Sequence, residues 1–144
     1  MSAVASSDES IKPVEHFRLD YKISDYTISD IHLSFDLDEA NSIVTTQSTI
    51  VPQVNKSGLN LVLDGEELEL LELSVNGTVV DSAQYTITPT SLTLSAAAFP
   101  ADGTTSFQLG TKVRLHPDKN LALSGLYKSG GSKLLSTQCE AMGF

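Results

Sequence analysis

Apolar and polar residues alternate in short segments along most of the chain. The clearest case is residues 31–38, IHLSFDLD, in which every second residue is apolar. Because successive side chains of a β-strand point to opposite faces, a period of two predicts a half-buried strand. Tyr26 and Ile28 upstream are also spaced by two, but the phase slips by one residue near Asp30, which predicts a β-bulge there.

Further segments have the composition of short strands and are separated by turn residues. They are SIVTTQSTIV, LNLVL, LELLELSV, QYTIT, SLTLS, TTSFQLGTKVRL, ALSGLYKS and KLLSTQ. Asn76-Gly77 is a strong hairpin signal, and Gly130-Gly131 marks a turn between two strands. Only EELELLELS also fits a helical period. The sequence therefore predicts an all-β fold, an antiparallel twisted β-sandwich or saddle, with Greek-key or meander connections left open.

The chain is expected to form one domain after a disordered leader. Its 144 residues suit a single hydrophobic core. Residues 1–14 are small, polar and unpatterned, so they cannot bury enough apolar surface to offset the entropy lost on ordering. The predicted domain spans residues 15–144.

Charge and targeting signals restrict the partners and the location. The net charge is -9, and the nine Lys and Arg residues form no basic stripe. We therefore expect neither nucleic acid nor a membrane as a partner. The N-terminus lacks the regions of a signal peptide, no apolar run reaches the ~18 residues of a membrane span, and Cys139 is the only cysteine. These features predict a cytoplasmic protein without an intrachain disulfide.

The residues that commonly bind metals do not form a recognisable motif. His16, His32 and His116 are far apart, and none has the spacing of a zinc-binding helix. Asp36 and Asp38 lie on one face of the predicted strand, but two carboxylates alone make a poor cation site. We interpret these side chains as parts of a solvated polar surface.

Cys139 has two interpretations. It is a candidate nucleophile if a base lies near it in the fold, or a small buried apolar group. Taken residue by residue, the sequence contains no complete set of catalytic groups.

The C-terminal stretch NLALSGLYKSGGSKLLSTQCEAMGF resembles the end of the N-terminal domain of alanyl aminopeptidases of the aminopeptidase N type, which are zinc metallopeptidases. The resemblance extends upstream through DYTISDIHLSFDLD, LVLDGEELELL and HPDKN, to about Phe17. The C-terminal residues that carry it are Asn120, Ala122, Leu123, Gly125, Leu126, Tyr127, Ser129, Gln138, Cys139, Glu140, Ala141, Gly143 and Phe144.

The resemblance implies a role for two of these residues. In the family, the last loop of this domain enters the active-site cleft of the catalytic domain. Glu140 would bind the free α-ammonium of the peptide substrate, and Gln138 would line the pocket for its first side chain. The implied activity is release of N-terminal amino acids, preferably alanine-like ones, from peptides.

The resemblance also implies what this chain does not carry. The family's zinc-binding and catalytic segments follow this domain and do not occur here, so we expect zinc only in the full-length enzyme and no cofactor in this chain. Peptide substrates would be reached through the missing catalytic domain. The domain itself would be incomplete at its C-terminus, and an exposed apolar face would favour self-association.

Two alternatives stay open at this stage. One is a stand-alone, non-catalytic β-sandwich that binds or interacts with a partner protein. The other is a short gene product without a function of its own.

Overall fold

The computed structural model describes residues 17–53, 57–131 and 134–139. In these ranges the strands are β1 (Tyr26–Asp36), β2 (Ser42–Pro52), β3 (Leu61–Asp64), β4 (Glu69–Val75), β5 (Thr78–Val79), β6 (Tyr85–Ile87), β7 (Ser91–Leu94), β8 (Phe107–Leu115), β9 (Gly125–Lys128) and β10 (Leu135–Gln138). Single turns of 3-10 helix are Arg18–Asp20, Ser82–Gln84, Ala96–Ala98 and Pro117–Lys119. Within the same ranges no helix has the length and hydropathy to cross a membrane. The predicted disordered leader, residues 1–14, lies outside the described residues.

The strands form three sheets. A five-stranded sheet has the order β1-β2-β8-β4-β5, a three-stranded sheet the order β3-β7-β6, and β9 pairs with β10 in a separate two-stranded sheet. Every strand pair is antiparallel. This confirms the predicted all-β antiparallel fold, and the non-consecutive neighbours β2, β8 and β4 exclude a simple meander.

The hydrophobic core lies at one end of the five-stranded sheet. Its buried side chains are Tyr26, Ile50, Leu61, Leu73, Val75, Val80, Leu94, Phe99, Phe107 and Leu109. Most come from the start of β1 and β8, from the later residues of β2 and β4, and from β3 and β7. Val80 follows β5, and Phe99 follows the 3-10 helix Ala96–Ala98. The three-stranded sheet therefore packs over this end only, where Phe107 stacks on Phe99 with ring centroids 4.5 Å apart.

The side chain of Tyr26 anchors the start of β1 in this core. Its ring meets Phe99 and Phe107 edge-on, with centroids 5.9 and 6.5 Å away. Its hydroxyl donates a hydrogen bond of 2.8 Å to the Leu59 carbonyl. Burial, together with the nearby charge of Asp25, raises the pKa of the Tyr26 phenol. The Tyr26 hydroxyl therefore has a hydrogen-bond partner, and the ring is buried in the core.

After Tyr26, β1 leaves the core. All of its other residues are exposed, and Leu33 and Phe35 retain 42% and 55% of their accessible surface. Phe35 nevertheless lies on the core side of the sheet, because it pairs directly with buried Val44 of β2. We call Ile28, Ile31, Leu33 and Phe35 the apolar strip.

The prediction that this segment is half-buried is therefore wrong for the described chain. Period two correctly identified the strand, but the three-stranded sheet covers the opposite end of the five-stranded sheet and leaves the apolar strip in solvent. Among the described residues, no element packs over this part of β1.

Local features of the predicted strands are confirmed. The register of β1 against β2 shifts between Ile28 and Asp30, which is the predicted bulge. Asn76 and Gly77 have φ values of 49° and 79°, the left-handed conformations of a two-residue hairpin turn, and they join β4 to β5. The ambiguous EELELLELS segment contributes strand β4.

Candidate functional site

The hairpin formed by β9 and β10 carries the residues singled out at the C-terminal end. Its register places Leu135 opposite Lys128 and Gln138 opposite Gly125. The Ser129 amide donates to the Leu134 carbonyl at 2.9 Å and closes the connection. The predicted turn at Gly130-Gly131 is thereby confirmed between these two strands.

Gln138 is the last residue of β10, and its side chain is exposed. Opposite it, Gly125 has φ of 74°, and a Cβ atom built there would meet no atom of the described residues within 4 Å, apart from its two chain neighbours. This end of the hairpin is therefore open around the Gln138 carboxamide. Glu140, the other predicted contact residue, lies outside the described residues.

Cys139 follows β10 and is exposed, with a free thiol. The interpretation of this residue as a small buried apolar group is therefore wrong. Cys139 directly follows Gln138 and lies at the same open end of the hairpin.

The hairpin is joined to the rest of the molecule through Asn120. The Asn120 carboxamide donates two hydrogen bonds, 2.7 Å to the Ser124 carbonyl and 3.0 Å to the Leu126 carbonyl of β9. Asn120 itself follows the 3-10 helix Pro117–Lys119, against which β9 packs. Pro117 is fully buried, so the helical turn against which the hairpin packs is itself anchored in the fold.

A second connection runs from β9 to the turn between β1 and β2. The Lys128 ammonium lies 2.5 Å from a carboxylate oxygen of Glu39. The Glu39 carbonyl also accepts a hydrogen bond of 3.0 Å from the Asp118 amide. One turn residue thus contacts both the hairpin and the helical turn beneath it.

A charged cluster lies beside this turn and includes His116. Arg114 donates to both carboxylate oxygens of Glu69 at 3.0 Å, and His116 Nε2 is 3.8 Å from one of them. His116 Nδ1 lies 2.6 Å from the Ala40 carbonyl, which can only accept, so Nδ1 carries a proton. The cluster therefore links β4, β8 and the β1–β2 turn through hydrogen bonds and charges.

Asp36 is the last residue of β1, and Asp38 lies in the turn that follows it. Asp38 accepts hydrogen bonds from the amides of Ala40 and Asn41 at 2.9 and 3.0 Å, so its carboxylate shapes the β1–β2 turn. His32 is exposed on β1, and His16 lies outside the described residues. In the part of the chain that the structure describes, no three His, Cys, Asp or Glu side chains could together hold a metal ion.

Three proteins that are similar to this chain are named aminopeptidase N. Aminopeptidase N of Haemophilus influenzae is 36% identical over 128 residues, which are 89% of this chain and 14% of that protein. Aminopeptidase N of Escherichia coli is 36% identical over 133 residues, 92% of this chain and 14% of its own length. Aminopeptidase N of Caulobacter vibrioides is 34% identical over 125 residues, 87% of this chain and 13% of its own.

The fold of this chain is similar to part of a solved aminopeptidase structure. The crystal structure of Legionella pneumophila aminopeptidase A in complex with aspartic acid matches with a TM-score of 0.73 and 28% identity, over 87% of this chain and 14% of that one. A family model described as the Hb-interacting domain of heme-binding Shr-like proteins matches only residues 63–111. This chain therefore spans about one seventh of the length of the curated relatives it matches.

Proposed function

We propose that this chain belongs to the aminopeptidase N family, as its similarity to these relatives supports, and that it serves as the N-terminal domain of a zinc-dependent aminopeptidase. The complete enzyme would release N-terminal amino acids from peptides. The observation that carries the proposal is the likeness in both sequence and fold over nearly the whole chain. The zinc would be bound by residues of the longer enzyme.

We propose that the open end of the β9–β10 hairpin contacts the substrate. A peptide α-amine has an unperturbed pKa of about 7.7 to 8.0 and is largely an ammonium at neutral pH, so it needs an anionic acceptor when it leaves water. Glu140 would supply that carboxylate. Gln138 is exposed at the end of β10, and its carboxamide offers donors and an acceptor without net charge to a pocket for small side chains.

The position of the apolar strip bears on which partner packs against this chain. It continues the core side of the five-stranded sheet but lies at the end that the three-stranded sheet does not cover, which is also the end that carries the hairpin. We propose that the rest of an aminopeptidase polypeptide packs on it, as the residues matched in this chain make up only 14% of such a relative. The net charge of -9 argues against nucleic acid or an anionic membrane as the partner.

We also propose a cytoplasmic location. The lone thiol of Cys139 is exposed, and exposed thiols persist in reducing compartments.

The partial match to the Shr-like family does not lead to a second proposal. Haem iron is held in proteins by His, Cys, Met or Tyr side chains, and residues 63–111 contain only Tyr85 among these. Tyr85 packs against the hydrophobic core, and we do not propose haem binding.

The isolated chain of 144 residues is expected to be catalytically inactive. We expect no release of alanine from an alanyl peptide, with or without added zinc, because the groups that would activate water are elsewhere in the enzyme. A fluorogenic alanine amide provides the assay. Release by the purified chain that a chelator abolishes would contradict the proposed division of roles.

A further inference from the structure

The β9–β10 hairpin has no hydrogen-bonded strand neighbours outside itself among the described residues. A two-stranded sheet is only marginally stable by itself in water, so its position depends on the contacts that attach it to the rest of the fold. Two such attachments are the hydrogen bonds of the Asn120 carboxamide and the ion pair between Lys128 and Glu39. They lie on the side of β9 that faces the helical turn Pro117–Lys119.

The first attachment is the Asn120 carboxamide. Both of its partners, the carbonyls of Ser124 and Leu126, can only accept, so the amide nitrogen must face them and both of its hydrogens are used. The bonds close a turn in which Leu123 has φ of 55°, an unfavourable conformation for a leucine. Leu123 is 55% exposed, so packing alone does not hold it there.

The second attachment is the ion pair between Glu39 and Lys128. The two side chains retain 37% and 33% of their accessible surface, so the pair is partly withdrawn from solvent. Glu39 also accepts from the Asp118 amide through its carbonyl. The β1–β2 turn is thus joined at one residue to both the helical turn and β9.

We propose that Asn120 and the Glu39–Lys128 ion pair are positioning residues that fix the β9–β10 hairpin against the end of the five-stranded sheet. Because Gly125 and Lys128 pair with Gln138 and Leu135, fixing β9 also fixes β10, which ends at Gln138. The importance of this position for substrate contact rests on the proposed function. The attachment of the β9–β10 hairpin to the five-stranded sheet does not depend on the proposed function.

The test is hydrogen exchange of backbone amides in the 144-residue chain. Asn120→Asp keeps the shape but places an acceptor against two carbonyls, and Lys128→Met removes the ion pair. Each is expected to speed exchange of the β9 and β10 amides by about tenfold or more, while β2 and β8 amides change by less than about twofold. The charge exchange Glu39→Lys with Lys128→Glu should restore protection to the level of the parent chain.

Lys119→Met is the matched control, since Lys119 is exposed on the same helical turn and its change removes the same charge. Hairpin protection that survives both Asn120→Asp and Lys128→Met would overturn the proposal. So would an equal loss of protection in β2 and β8, because that result indicates general destabilisation.

A second readout separates this inference from the proposed function. In the complete aminopeptidase, Asn120→Asp and Lys128→Met should raise KM for a free-amine peptide by about tenfold, and the charge exchange should restore it. If exchange speeds up as expected but KM does not change, the positioning role stands and the substrate contact by the hairpin is wrong.

Discussion

Glu140→Ala in the complete aminopeptidase is expected to lower kcat/KM for alanine release by about 30- to 5,000-fold. Removing one partner of a desolvated, hydrogen-bonded charge pair costs roughly 2 to 5 kcal/mol, and each ~1.4 kcal/mol is a factor of ten. The substrate ammonium would be left without its acceptor on this domain. Steady-state kinetics with an alanyl peptide measures the loss.

Two variants show whether the charge of Glu140 matters. Glu140→Gln keeps the size and one acceptor but loses the charge, so its defect should lie between that of Glu140→Ala and the parent enzyme. Glu72→Ala removes an exposed carboxylate of β4 and should leave kcat/KM within about twofold. Unchanged kinetics for Glu140→Ala would remove Glu140 from the proposed site.

The isolated chain is expected to self-associate through the apolar strip, and replacing Leu33 and Phe35 together by Asp should abolish this. Fully burying a leucine or phenylalanine contributes about 1.5 to 3 kcal/mol. Because each of these side chains is about half exposed, and a symmetric pair of copies buries both twice, the double change should weaken association by about 3 to 6 kcal/mol, on the order of 100-fold or more.

Sedimentation velocity over a range of concentrations, with binding of a hydrophobic dye, measures this. The matched control is His32→Asp with Ser34→Asp, which introduces the same carboxylates on the opposite face of β1 and should associate as the parent does. A parent chain that stays monomeric and binds no dye at high concentration would show that the strip is not a contact surface.

The strands were predictable because the patterns that indicate them involve residues that are close together in the sequence. Period two identified β1, the phase slip located its bulge at Asp30, and Asn76-Gly77 fixed a turn that needs two left-handed residues. The partners of these strands were not predictable, because β2 lies beside β8 rather than beside β3. The exposure of Phe35 has the same origin, since period two shows which side of a strand faces the core but not whether another sheet reaches it.

The candidate site depended on a different kind of information. Nothing in composition or spacing distinguishes Gln138 and Glu140 from the residues of an ordinary turn, and only the family resemblance pointed to them. The structure adds the exposed position of Gln138, while the role of both residues stays a prediction. The Glu39–Lys128 pair joins residues 89 positions apart, so only the fold could show it.

If this chain is one domain of a zinc aminopeptidase, as we propose, the native polypeptide should be the longer, active enzyme. The measurement is release of alanine from an alanyl peptide by material captured from the source cells with an antibody against this chain. We expect a polypeptide several times larger than 15.4 kDa whose activity is lost with a chelator and restored by zinc. A captured polypeptide near 15.4 kDa without this activity would contradict it.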